Sequence, residues 1–382
     1  MFSTATLIGL ALAPVAQTPP VAPTASATPG ETVTIEPVRA PADRAEALRI
    51  EAELLQRVHR HPSVPRYQSV VDSFTLPTDL PAVALTPGGP SGLDGVERWR
   101  MEIAPGVAFH LYTDAVGTAA APRFAPVIAE IARRVAQTAG VPVTSVRWDD
   151  LILVGSQETA QRIARSGKGK WPIVLNADGT IGINTITALT GLVPHELAHR
   201  ANPTTQLVNG APQPRTPLWF GEGHADWIEG VVAASFPEFA LARRYSETAE
   251  RLSYGAVYQH VDVGNFRRGR PTDAAIQRQV SAEEFAEYKR AGRLPPRQYT
   301  FSPAELDQSN FTGAHYFGAG SVFRFVERRA GRAAAMRWIA ALAAMEGPLT
   351  TERIVAAAER EAGVDIRPLL QPGYDHRTVD AA

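Results

Sequence analysis

Apolar periodicity is most regular between residues 96 and 200. Trp99–Tyr112 alternates in places, carries strand formers and is interrupted at Pro105-Gly106, which predicts a hairpin. Residues 124–138, FAPVIAEIARRVAQT, repeat apolar positions at helical spacing and stop at Gly140 and Pro142, so an amphipathic helix is expected. Trp148–Val154 reads as a strand and Gln157–Ser166 as a helix. Pro172–Leu175 and Thr180–Ile183 flank an Asn-Ala-Asp-Gly sequence whose Asp178-Gly179 pair favours positive backbone angles, predicting a second strand pair. Beyond residue 187 the pattern is helix or loop. Strands first and helices afterwards is the order of an α+β fold, a small mixed sheet with helices packed on it followed by a mainly helical half.

Upstream, residues 42–59 place Ala45, Leu48, Ile50, Leu54, Leu55 and Val58 near helical spacing, and Pro62 and Pro65 end that helix. The Pro- and Gly-rich run LPTDLPAVALTPGGPSGLDG then reads as an irregular connection. At the start, MFSTATLIGLALAPVAQ holds a short apolar run followed by small residues at Pro14-Val15-Ala16. It resembles a secretory signal, although no Lys or Arg precedes the run. Residues 17–41 are rich in Pro, Ala and Thr, as in a tether. The expected organisation is a signal peptide (1–16), a linker (17–41), a helix with an irregular connection (42–95) and one domain (96–382). That domain divides into a sheet half (96–200) and a helical half (201–382). Export to a periplasm or the medium follows as an expectation, and no stable membrane span is expected in the mature chain.

Composition narrows the chemistry. An apolar fraction of 45% in 382 residues allows a sizeable core. Thirty-eight basic against thirty-nine acidic residues removes the electrostatic case for nucleic acid as a partner. There is no cysteine, so any metal must be held by histidines and carboxylates. The oligomeric state is not legible.

Residues 191–203, GLVPHELAHRANP, contain His-Glu-x-x-His at 195–199. On a helix, positions i and i+4 share a face, so His195 and His199 can direct two imidazoles at one ion while Glu196 reaches a bound water. A catalytic metal site of this kind needs a third ligand and an open position. Residues 217–229, PLWFGEGHADWIE, supply Glu222 on a returning helix, after a stop at Asn202-Pro203 and a polar connection. Asp226, four residues on, can accept the second ring N–H of a ligating histidine. His224 turns about 200° away from Glu222 on an ideal helix and is discounted. His59, His61, His110, His260 and His376 have no partner pattern.

The combination of H-E-x-x-H with W-x-x-E-G-x-A-D resembles the gluzincin zinc metallopeptidases, in particular the peptidase MA-like bacterial proteins. The resemblance is strong at 195–226, moderate at 315–326 (HYFGAGSVFRFV) and weak elsewhere between 96 and 370. It implies a zincin-like fold in which His195, His199 and Glu222 bind one Zn²⁺. Glu196 would be the general base, Asp226 a supporting carboxylate and Tyr316 a donor to the oxyanion, with His315 as its rival. Peptide or protein would be the substrate. Related aminopeptidases hold the substrate amine with a glutamate before the active-site helix; PIVLNADGTIGINTIT has none, which favours endopeptidase action. Peptide would then dock along that strand by backbone pairing. Residues 245–312 are expected to be irregular, either a lid or a surface excursion. Two other readings stay open: an exported zinc- or partner-binding protein without catalysis, and a zinc hydrolase of a non-peptide amide.

Overall fold

The computed structural model describes Arg49 and residues 60–370, except 63, 209–210, 254–272, 292–301, 303, 305–306 and 308–313. Arg49 apart, the expected signal, linker and helix over residues 1–59 lie outside the described residues.

Helix α1 (Tyr67–Ser73) precedes a five-stranded sheet built from β1 (Leu85–Pro87), β2 (Glu97–Ala104), β3 (Val107–Thr113), β4 (Leu151–Val154) and β5 (Lys170–Val174), in that spatial order. Strands β1 to β3 pair antiparallel, and β3 to β5 pair parallel. The β2–β3 hairpin turns at Gly106, whose φ of 76° a side-chain-bearing residue adopts only with strain. Helix α2 (Ala115–Ala139) joins β3 to β4, and α3 (Gln157–Arg165) joins β4 to β5. Parallel neighbours need such crossovers. Tyr112, Ile152 and Val154 pack with Ala160 and Ile163 of α3 on one side of the sheet. Their alternates Leu111, Leu151 and Leu153 point to the opposite side and are fully buried. Helix α2 lies across β2, β3 and β4.

Helix α2 is longer than the sequence pattern predicts because Asp114 caps it, accepting from the Gly117 N–H at 2.9 Å and from the Gly155 N–H. It carries Pro122 and Pro126 in its interior and ends in a left-handed Gly140.

The rest is helical in the main. Helix α4 (Ile183–Thr187) runs through a π-helical turn (Ala188–Leu192) into α5 (Val193–Ala201). A short hairpin, β6 (Thr205–Val208) and β7 (Ala211–Pro214), leads to α6 (Leu218–Ala234) and α7 (Ala240–Ser253). After α8 (Asp273–Gln277) and α9 (Ala282–Ala291) come α10 (Ala314–Ala330), α11 (Arg332–Ala344) and α12 (Thr351–Ala362). Helix α5 packs against α2 and α6, and α6 packs along α10. Among the described residues no helix is long and apolar enough to cross a membrane.

The α+β class stands, with four local corrections. Leu85–Pro87 forms an edge strand inside a stretch expected to be irregular, because β2 offers it backbone pairing that local sequence does not reveal. Thr180–Ile183 is not a strand. The Asn176–Thr180 turn closes, with the Asn176 N–H on the Thr180 carbonyl at 3.0 Å, but Gly182 then starts α4. Residues 205–214, expected as a connection, hold the second sheet around Asn209-Gly210, a strong hairpin pair that went unread. Helices α8 and α9 lie within the stretch expected to be irregular.

Candidate metal centre

Two prolines frame α5. The π-helical turn before it ends at Leu192, so the missing Pro194 N–H falls where the regular ladder is already interrupted. At the other end Asn202 leaves the helix with ψ of 113°, the extended conformation favoured before Pro203. The Asn202 side chain then accepts from the Thr204 N–H at 3.0 Å, and the chain turns back toward α6.

Between these limits His195 and His199 stand one turn apart, ring centroids 4.9 Å from each other. Glu222, in the first turns of α6, places Oε2 3.3 Å from His195 Nε2 and 3.2 Å from His199 Nε2. The three donor atoms all lie within 4.8 Å of one another. A tetrahedral ion with ligand bonds of about 2.0–2.1 Å holds its ligand atoms about 3.3 Å apart, so these separations match the edges of such a site. Two imidazoles and one carboxylate suit a divalent first-row metal ion. The residues present therefore fit a metal ion.

Electrostatics points the same way. Burial works against a charge on His195, but hydrogen bonds to Glu222 and Glu229 outweigh it and raise its pKa well above the usual histidine range. Burial likewise opposes ionisation of Glu222, yet His195 and His199 pull its pKa down to about 2. Glu222 is thereby kept ionised, the form in which a carboxylate binds a cation.

Glu196 is half-buried beside this group. Burial raises its pKa, His199 and His195 oppose that, and Glu222 and Asp149 add to it. Among the described residues its carboxylate makes no hydrogen bond or ion pair. A carboxylate with a raised pKa and free oxygens is equipped to take a proton from water near neutrality.

The supporting carboxylate differs from the one expected. Glu229, seven residues beyond Glu222 and so two turns along the same stripe, puts Oε2 3.1 Å from His195 Nδ1. That contact sets the tautomer that leaves Nε2 facing Glu222. Asp226 instead accepts from Arg324 Nη1 of α10 at 2.7 Å. Its side chain is short, and the guanidinium of the facing helix reaches it. A Cβ at Gly320 would stand 1.6 Å from Asp226 Oδ2, so only glycine lets α10 approach there. Burial pushes Asp226 up to about 6 despite Arg324, and the His195 charge acts on it too. Glu229 was legible as the i+7 position of the quoted segment.

His224 is a contrast on the same helix. It is fully buried among Phe220, Trp227 and Phe323, with neither ring nitrogen hydrogen-bonded. Burial first, then the His199 charge, lowers its pKa to about 3. Among the described residues it is not part of the group formed by His195, His199 and Glu222. His110 has a partner after all, with Nδ1 3.2 Å from Asp150 Oδ1. Tyr316 and His315 belong to α10, but their side chains lie outside the described residues, as do His59, His260 and His376.

Comparison of the chain with protein-family models gave no match, and comparison with curated proteins gave none either. The site therefore rests on its own geometry: among the described residues, His195, His199 and Glu222 form a group able to hold a metal ion.

Proposed function

We propose that the chain is a zinc-dependent peptidase of gluzincin type, cutting within peptide chains. The observation that carries this reading is the convergence of His195, His199 and Glu222 with Glu196 one position away and otherwise uncommitted. A metal-binding protein has no need of that second carboxylate. When bound, a zinc ion supplies Lewis acidity: it acidifies a water and polarises the carbonyl to be attacked.

The chain's own residues do the rest. Glu196 accepts the water's proton and delivers it to the departing amine, so one carboxylate acts as base and then acid. Glu229 keeps His195 oriented through Nδ1. Tyr316, carried on the helix that packs along α6, is proposed as the donor to the developing oxyanion. The absence of a glutamate in residues 172–187 supports an internal cut over removal of an amino-terminal residue. Export belongs to the proposal on the strength of residues 1–41 alone.

The test is metal analysis combined with peptide cleavage. Purified protein should carry about one zinc per chain and cleave quenched peptides in a manner abolished by chelation and restored by zinc. Zinc bound without cleavage of any peptide would leave a binding protein. No metal bound at all would remove the proposal.

A further inference from the structure

Helix α5 has a second face. Arg200 follows Glu196 by four residues and so lies one turn along the same stripe. Its Nε donates to Asp149 Oδ2 at 2.6 Å, and the two side chains are 23% and 14% exposed. Among the described residues its Nη1 and Nη2 make no hydrogen bond. One edge of the guanidinium is thus fixed, and the other keeps its remaining donors uncommitted, one helical turn along from Glu196.

Trp171 completes the group. Its indole Nε1 donates to the same Asp149 Oδ2 at 3.2 Å. The backbone is distorted to put it there. Lys170 pairs with Leu151 and Pro172 with Ile152, so Trp171 is the extra residue of a bulge in β5. Its φ of 49° is the only positive value at a non-glycine position among the described residues. The residue before a proline is sterically pushed toward extended backbone, so this conformation is opposed twice. Bulges and left-handed outliers of this kind concentrate where a side chain must be re-aimed for binding. An ion pair between Asp149 and Arg200 alone requires neither.

Asp149 also accepts from Lys170 Nζ at 3.2 Å, so two cations share this one carboxylate. Asp149 stands close enough to Glu196 for its charge to act on that carboxyl.

We propose that Arg200, fixed by Asp149, to which Trp171 also donates, is a subsite that takes a carboxylate of the peptide close to the bond that is cut. The chemistry is a bidentate guanidinium–carboxylate pair formed by the open edge of Arg200. Asp149 and Trp171 are positioning residues. The carboxylate comes from an acidic side chain or from a free chain end. This inference rests on the peptidase reading of the neighbouring site.

The experiment uses full-length protein and three peptides: one with an internal Glu, its Gln twin, and the Gln twin amidated at the C-terminus. Binding is measured by calorimetry on the zinc-loaded Glu196→Gln protein, which does not turn peptide over, and cleavage on the parent. The Glu peptide should bind about tenfold or more tighter than its Gln twin, and Arg200→Gln should reduce that ratio to near one. In the parent the same ratio should appear in KM, with kcat little changed. A preference lost on amidation, with no Glu–Gln difference, assigns the site to a chain end. Equal binding of all three peptides, or a preference that survives Arg200→Gln, overturns the proposal. Removing one partner of a part-buried pair risks the fold, so the neutral pair Asp149→Asn with Arg200→Gln serves as the second variant and should lose the preference equally. If the parent cleaves nothing, the peptidase reading fails, while the binding comparison still decides the subsite.

Discussion

The two faces of α5 are constructed by different means. Toward α6, helical spacing puts His195 and His199 on one face, the packing of α5 on α6 brings Glu222 to them, and Glu229 follows seven residues along α6. No backbone strain is involved. Toward β5, Arg200 is held by Asp149, just before β4, and Asp149 also accepts from Trp171, which sits in a bulge at a positive φ. The first face depends on residue identity at fixed intervals along helices. The second depends on how a sheet edge is bent against a helix. A cation site tolerates the first kind of construction because the ion itself draws the ligands together, whereas reading a peptide requires rigid placement in advance.

The largest effect that would break this comparison is loss of the α6-facing set. His199→Ala should reduce bound zinc from about one per chain to almost none, measured by elemental analysis after dialysis. Retention of zinc in that variant would show that the ion sits elsewhere. Glu229→Gln is milder, because it weakens the orienting contact and leaves all three ligands. Zinc affinity should fall about 10- to 100-fold in a chelator competition, while the preference among peptides stays unchanged. Arg200→Gln should show the reverse, leaving zinc affinity within about threefold while altering peptide preference, since independent sites contribute separately. An equal effect of both variants on both readouts would mean that the two faces are one coupled unit.

The smallest effect concerns His224, set against His195. Carboxylates engage His195, and aromatic rings surround His224 without a hydrogen bond. His224→Leu loses no hydrogen bond and removes a buried polar ring, so thermal or denaturant unfolding should show no loss and a gain of up to about 1 kcal/mol. A loss of more than about 2 kcal/mol would point to a partner that the described residues do not provide.

These contrasts explain what was legible. His195, Glu196 and His199 were readable because helical geometry converts spacing directly into proximity, and Glu222 because the chain between has a helix stop and a connection that lets a second helix return. The β2–β3 hairpin and α3 were readable for the same local reason. Trp171 was not, since nothing in KWPIV announces a bulge, and its partner Asp149 lies on another strand connection. Leu85–Pro87 was hidden because a short edge strand among prolines owes its existence to β2. The role given to Asp226 went to Glu229 because helix periodicity offers both positions, and only the facing Arg324 decides between them.

The central claim is that Glu196 works on a metal held by its neighbours. It is tested most directly by the cleavage rate of one quenched peptide with parent and Glu196→Gln protein, each shown to carry the same zinc content. The account predicts a fall in kcat of at least about 100-fold with the metal retained. Equal rates at equal zinc content would contradict it.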